Sequence, residues 1–229
     1  MYETFFKRLL DIVLSAIGLL VLSSVFLVIA IAVVLDDPGP VFFKQKRVGK
    51  GKTYFPLHKF RSMKMSTPHD TPTHMLKNPE QYITRVGRFL RKSSLDELPQ
   101  IWDIFIGNMS IIGPRPALWN QYDLIEERDK YGANDIMPGL SGWAQINGRD
   151  ELEIPIKAKF DGEYTKILHE GGLKAFLFDV RCLIGTVFSV ARGDGVVEGG
   201  TGEMKNFTSP ARPNDGKSLY MEDEYQTKK

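Results

Sequence analysis

The chain has 229 residues, 42% hydrophobic and 25% charged, with a formal charge of +2, which excludes a wholly disordered polypeptide and fits one ordinary domain or one domain plus an anchor. Its single cysteine, Cys182, excludes an internal disulfide and suits a reducing cytoplasm. Charge is uneven: residues 36–100 carry 13 Lys/Arg against 6 Asp/Glu and residues 101–199 carry 10 against 15, so the first stretch suits an anionic neighbour such as phosphate, a lipid surface or nucleic acid.

Ile12 to Leu35 is a run of 24 uncharged residues interrupted only by Ser15, Gly18, Ser23 and Ser24. A straight helix of that length measures about 36 Å against a hydrocarbon core of about 30 Å, so the segment is expected to enter a membrane. A cleaved signal peptide is disfavoured, because apolar residues continue past Ala30-Ile31-Ala32. Lys7 and Arg8 precede the run, and Lys44, Lys46, Arg47, Lys50 and Lys52 follow it. Positive flanks favour the cytoplasmic side, and a straight span cannot place both ends there. Either the stronger downstream cluster prevails in a single span, or the segment enters and returns as a bent, re-entrant helix. Ser23-Ser24 sits at the midpoint, where hydroxyls bond to carbonyls one turn back and favour bending.

After the turn Asp36-Asp37-Pro38-Gly39-Pro40, the stretches Val41–Val48 and Thr53–Phe60 read as a hairpin across Gly49-Lys50-Gly51-Lys52. Pro56 restricts the second strand to an edge. Residues 66–79 read as a loop. Ile83, Val86, Phe89 and Leu90 give helical spacing from Glu80 to Lys92. Further helices are expected over Ser94–Gly107, Trp119–Tyr131, 154–169 and 173–190. The last is rich in Phe and Leu but holds Asp179 and Arg181, which suits either a core helix or one lying on a membrane surface. Beyond Arg192 the chain is Gly-rich and polar. His58, His69, His74 and His169 show no metal-site spacing.

Three stretches carry candidate chemistry. In Ser94-Leu95-Asp96-Glu97-Leu98-Pro99-Gln100, Ser94 and Glu97 have capping-box spacing, which puts Asp96 and Glu97 at a helix N-terminus. There the dipole lowers carboxylate pKa values. An ionised Asp suits attack on phosphorus and the adjacent Glu suits Mg²⁺, although first-turn acids also serve plain dipole compensation. In Gly113-Pro114-Arg115-Pro116 two prolines clamp an arginine whose planar fork suits phosphate, or which simply ends a rigid turn. Pro138 to Arg149 combines glycines with Gln145, Asn147 and Arg149 as donors, and fits neither a Walker nor a Rossmann pattern.

Together these stretches resemble the monotopic phosphoglycosyl transferases, the bacterial sugar transferase family. The resemblance covers about residues 3–190. It includes Phe6-Lys7-Arg8-Leu9-Leu10-Asp11, Pro38 to Gln45, Lys59-Phe60-Arg61-Ser62-Met63, Leu95 to Gln100, Gly113 to Pro116 and Pro138 to Arg149. It implies an enzyme that moves a sugar-1-phosphate from a UDP-sugar to polyprenyl (undecaprenyl) phosphate and releases UMP. Asp96 is then the nucleophile and Glu97 helps hold Mg²⁺. Arg115, Gln145, Asn147 and Arg149 bind phosphates or nucleotide, and Lys59 and Arg61 line the same site. The implied fold is α+β and mostly helical: a re-entrant membrane helix over 1–36, a cytoplasmic catalytic domain with a small hairpin and interfacial helices over 37–192, and a polar tail over 193–229. The implied partners are the UDP-sugar, undecaprenyl phosphate and the bilayer of a bacterial inner membrane, without nucleic acid; a homodimer stays open. Similar proteins carry Ser-Pro where this chain has Ser23-Ser24, so the bend lacks its strongest cause. The region Lys44–Arg128, including Arg61 to Met65 and Ala117 to Tyr122, looks most like capsule-initiating members of the family that use N-acetylated deoxyamino sugars, which implies a UDP-linked N-acetylamino sugar over UDP-glucose or UDP-galactose. The rival readings are a membrane-bound nucleotide-sugar hydrolase and a non-catalytic UDP-sugar-binding scaffold.

Overall fold

A computed structural model describes residues 1–67, 79–148 and 152–192. His69, His74, most of the expected 66–79 loop, Arg149 and the tail after residue 192 lie outside the described residues.

A π-helical turn, Tyr2–Phe6, leads into α1 (Lys7–Val21), and α2 (Ser23–Asp36) follows after a single residue. The two axes differ by 60°. The break falls at Leu22, and Ser23 Oγ donates to the Leu20 carbonyl at 2.8 Å. A serine hydroxyl therefore makes the backward bond expected of it, without a proline. No single described helix is long and apolar enough to cross a membrane; the bent pair passes that test of length and composition together. Leu20, Val21, Leu27, Val28 and Leu35 are 62–79% exposed, so the pair presents a broad apolar surface that the described residues do not cover.

The hairpin forms as expected, with β1 (Phe42–Val48) antiparallel to β2 (Tyr54–Phe60) in register from Phe42 opposite Phe60 to Val48 opposite Tyr54. Both strands are edges of a two-stranded sheet, which accommodates Pro56 opposite Lys46. The helix expected from Glu80 divides into a 3-10 turn, Pro79–Tyr82, and α3 (Arg85–Lys92). Thr84 sets that start, its Oγ1 accepting from Gly87 N at 2.9 Å. The helix expected over Ser94–Gly107 also divides, into a 3-10 turn Leu95–Glu97 and α4 (Gln100–Ile106), with Pro99 between them. Then follow β3 (Ser110–Ile112), α5 (Tyr122–Asp129), β4 (Gly139–Ser141), α6 (Trp143–Ile146), α7 (Ile154–Glu170) and α8 (Gly172–Arg192). The short parallel pair β3–β4 was not foreseen, since three-residue strands carry no periodicity to read.

Both ends of the bent pair are fastened to one body. At its start, Lys7 donates to Asp179 of α8 at 2.7 Å, and Arg8 donates to the Ile104 and Phe105 carbonyls at the end of α4. Asp11 accepts from Ile111 N at 2.9 Å. At its finish, Asp36 accepts from Val86 N of α3 and Asp37 pairs with Arg61. Ile29 and Val33 of α2 pack with Phe60 and Leu90, while Tyr2, Ile112, Tyr164, Ala175 and Cys182 form a second core. Of the flanking cations, Lys7 and Arg8 thus serve as anchors of the bent pair.

Candidate active site

The chain reverses sharply between α3 and α4. Ser93 ends α3, and Ser94 adopts φ 56°, a left-handed conformation that halts helical propagation. Ser94 makes no side-chain cap, so the expected capping box does not form. The following 3-10 turn instead carries Asp96 and Glu97 against the end of β2 and the turn after β3.

Glu97 is surrounded by cations. Lys59 of β2 donates to Oε1 at 2.8 Å, and Arg115, clamped between Pro114 and Pro116, donates from Nη1 to Oε2 at 3.2 Å and from Nη2 to Oε1. Burial pushes the Glu97 carboxyl up, but Arg115 and Lys59 more than outweigh it and hold the group well below its ordinary value. Asp96 is different. Among the described residues its carboxylate accepts no hydrogen bond, and the one cation within 4.0 Å is Lys59, at that distance. Burial raises its pKa; Lys59 opposes this and the Glu97 charge adds to it. The expected depression of both carboxylates therefore holds for Glu97 alone, and its cause is ion pairing. The two side chains are 12% and 13% exposed.

The other expected site residues divide. Lys59 and Arg115 meet at Glu97. Arg61 is committed elsewhere: Nε donates to the Pro40 carbonyl at 2.7 Å, and its two Nη atoms bond the Asp37 carboxylate and carbonyl. It clamps the exit of α2 and makes no bond to Asp96 or Glu97. Gln145 of α6 is buried with both amide atoms unpartnered among the described residues. It follows Gly142, where an added Cβ would stand 2.2 Å from the Gly113 carbonyl, so only glycine lets α6 start against the turn that carries Arg115. Asn147 is exposed and donates to the Trp143 carbonyl at 2.7 Å. Arg149 lies outside the described residues.

Sequence reasoning missed Arg91, which donates to Ser62 Oγ at 2.8 Å and lies within electrostatic reach of Asp96. It also missed the fully buried Asp103, which accepts from both His58 N and His58 Nδ1 and ties β2 to α4. Neither pairing leaves a local signal, because the partners are distant in sequence.

Among the described residues no three His, Cys, Asp or Glu side chains gather as a closed metal cage. Asp96 nevertheless offers unbonded oxygens, and Glu97 Oε2 carries only the 3.2 Å bond from Arg115. Mg²⁺ commonly takes one or two carboxylates and completes its shell with water and phosphate oxygens, so this pair fits it.

Comparison with known proteins places these residues in a family. The family model for bacterial sugar transferases matches residues 2–193. The chain is 43% identical over 144 residues to the UDP-glucose:undecaprenyl-phosphate glucose-1-phosphate transferase of Xanthomonas campestris pv. campestris, covering 62% of this chain and 30% of that protein. It is 36% identical over 203 residues to the uncharacterized sugar transferase EpsL of Bacillus subtilis (strain 168), covering 88% and 95%. It is 38% identical over 171 residues to the UDP-N-acetylgalactosamine-undecaprenyl-phosphate N-acetylgalactosaminephosphotransferase of Aeromonas hydrophila, covering 71% and 39%. The chain thus spans about a third of the two relatives whose names state a substrate, and nearly all of the Bacillus one. With Lys59, Asp96, Glu97 and Arg115 all inside the matched stretch, the chain belongs to the bacterial sugar transferase family.

Proposed function

We propose that the chain transfers a sugar-1-phosphate from a UDP-sugar to undecaprenyl phosphate at a bacterial inner membrane, through a phosphosugar bonded to Asp96. The observation that carries this reading is the contrast between adjacent carboxylates: Glu97 is held by two cations, whereas Asp96 is largely buried, unbonded and 4.0 Å from Lys59. A desolvated carboxylate without hydrogen bonds keeps its lone pairs for attack.

In the first step an Asp96 oxygen attacks the β-phosphorus, and the bond from that phosphorus to the bridging oxygen breaks. UMP leaves with the oxygen and the electron pair. In the second step an oxygen of undecaprenyl phosphate attacks the same phosphorus, and the Asp96 carboxylate leaves, restoring the site. Neither step needs net proton transfer. Lys59 and Arg115, oriented by Glu97, and Arg91 beside them offset the charge of the phosphates. Glu97, with Asp96 beside it, would hold Mg²⁺, which would supply further charge neutralisation for the phosphates. Gln145 offers a buried amide to the nucleotide, with Asn147 and Arg149 beyond it in the same segment.

The bent pair α1–α2 is read as re-entrant, with the rest of the protein on the cytoplasmic face. Anchoring of both ends to one body supports this, since a straight crossing would separate Lys7 from Asp37. Exposed Leu173, Leu177, Ile184, Val187 and Phe188 give α8 an outward apolar face suited to the same lipid surface. The expected donor is a UDP-linked N-acetylamino sugar. The Aeromonas relative is named for such a donor and the Xanthomonas relative for UDP-glucose, so both belong in the test.

That test is UMP release from a panel of UDP-sugars with undecaprenyl phosphate and Mg²⁺, run on the parent chain and on Asp96→Asn. Lipid-dependent turnover by the parent and none by the variant is expected. Steady UMP release without lipid indicates a hydrolase, and transfer undiminished in Asp96→Asn removes this residue from the chemistry.

A further inference from the structure

Asp103 of α4 is fully buried, and both of its carboxylate oxygens are engaged by one residue. Oδ2 accepts from His58 N at 2.9 Å, and Oδ1 bonds His58 Nδ1 at 2.7 Å. A carboxylate out of water is costly unless its oxygens are bonded, and an apolar side chain would fill the same space at lower cost. The pair lies beside an apolar core, since Leu57 before His58 and Ile104 after Asp103 pack together with Phe55 and Met109. A buried acid in such a place calls for a reason beyond packing.

The residue after His58 is Lys59, whose Nζ lies 2.8 Å from Glu97 Oε1 and 4.0 Å from Asp96 Oδ2. Two adjacent residues of β2 are thus held by one short stretch of chain, which carries Asp96 at its start and Asp103 at its end. β2 belongs to a two-stranded sheet, so an N–H that faces away from β1 needs a partner off the sheet. His58 N finds that partner in Asp103. A lysine side chain is long and flexible, so where its ammonium stands depends on where the strand holds its Cα.

We propose that Asp103 is a positioning residue for the transfer reaction, gripping His58 by main chain and ring so that the neighbouring Lys59 ammonium stays within reach of both Glu97 and Asp96. It touches no reacting atom and acts through β2 alone. The proposal rests on the reading of the Asp96–Glu97 site as the place of transfer, where Lys59 offsets phosphate charge.

Two variants loosen the grip. His58→Ala removes the ring bond alone, and Asp103→Leu removes both bonds; His58→Ala carries the test where Asp103→Leu does not fold. Asp103→Asn keeps an oxygen for His58 N and offers an N–H to Nδ1 of the other ring tautomer. Position is read by brief acetylation of the full chain with acetic anhydride, followed by peptide mass spectrometry. Lys59 is engaged by Glu97, Lys7 is buried against Asp179, and Lys130 is exposed. Lys59 modification, scaled to Lys130, is expected to rise severalfold in His58→Ala and Asp103→Leu and to stay at the parent's level in Asp103→Asn, with Lys7 protected throughout. In UMP release with undecaprenyl phosphate and Mg²⁺, kcat should fall about 10- to 10²-fold in the two loosened variants, with little change in KM for the UDP-sugar, and recover in Asp103→Asn. The proposal is overturned if Lys59 stays protected in His58→Ala, or if kcat stays within about threefold of the parent while Lys59 is freed. It is also overturned if Lys7 becomes labelled along with Lys59, which would show that the pair supports the whole fold. Asp96→Asn and Lys59→Met are run alongside. Undiminished transfer in either overturns the site reading and this proposal together, whereas loss of transfer in both, with Lys59 still protected in His58→Ala, overturns this proposal alone.

Discussion

Lys7 of α1 donates to Asp179 of α8 at 2.7 Å, across 172 positions of sequence, and the two side chains are 8% and 10% exposed. The hydroxyls of Tyr2 and Tyr164 complete the hydrogen bonding of the Asp179 carboxylate. A desolvated pair of this kind is strongly interdependent: removal of one partner leaves the other charged and bare. Asp179→Ala is therefore expected to destabilise the protein by about 3–5 kcal/mol in denaturant unfolding, whereas Lys7→Met with Asp179→Leu stays much closer to the parent. A loss below about 1 kcal/mol for Asp179→Ala would mean that the pair behaves as a solvated surface bridge.

Asp96 and Glu97 should respond to pH in opposite senses. Burial raises the folded pKa of Asp96 above 3.8, so the stability linked to its protonation is fully present below the unfolded pKa and is lost as pH rises through the folded one. Near neutral pH the ionised Asp96 weighs against the fold. Asp96→Asn is expected to raise Tm there while transfer falls to background, and the gain should vanish as the solution is acidified through the raised pKa. For Glu97 the depressed pKa reverses the sign: the stability from Arg115 and Lys59 is present above the unfolded pKa and is lost as pH falls through the folded one. Glu97→Gln should lower Tm near neutral pH. Thermal shifts across a pH series measure both, and a lowered Tm for Asp96→Asn contradicts the account.

The backbone that presents Asp96 makes a separate prediction. Ser94 holds φ 56°, which costs an L side chain roughly 1–2 kcal/mol and glycine nothing. Glycine also gains about 0.5–1 kcal/mol of freedom in the unfolded chain, so Ser94→Gly should be close to neutral in stability. Ser94→Val should cost about 1–2 kcal/mol or more and slow transfer, because the distorted turn lies two residues before Asp96. Equal stability of the valine and glycine variants would show that the turn relaxes freely.

The elements legible in the sequence were those with long-range periodicity or strong punctuation: the apolar run, the hairpin around Gly49-Lys50-Gly51-Lys52, and helices α5, α7 and α8. Ser23 could be assigned its bend because a hydroxyl three residues past a carbonyl is a local relationship. Arg61 was misjudged for the opposite reason. It sits two residues from Lys59 and shares its charge, but Asp37 and the Pro40 carbonyl capture it, and nothing local distinguishes the two fates. Ser94 was misjudged because cap spacing describes a helix start equally well whether the preceding helix has ended in a left-handed residue or not. The cations around Glu97 come from β2 and from the turn after β3, so their convergence is a property of the fold rather than of any one motif.

The arrangement of the N-terminus and the hairpin yields a topological prediction. Lys50 Nζ lies 3.7 Å from Glu3 Oε1, on partly exposed side chains, so the start of the bent pair and the tip of the β1–β2 turn are neighbours although 24 uncharged residues lie between them. A contact of that kind contributes little energy, yet it requires both sites to share one aqueous compartment. Thr4→Cys and Lys50→Cys should each react with a membrane-impermeant maleimide from the cytoplasmic face, and neither from the opposite face. Cys182 will not interfere, because it is fully buried and burial pushes its thiol up to about 12, leaving almost no thiolate near neutral pH. Labelling of the two engineered thiols from opposite faces would replace the re-entrant pair by a crossing helix, and would require the Glu3–Lys50 and Lys7–Asp179 contacts to be broken in the membrane.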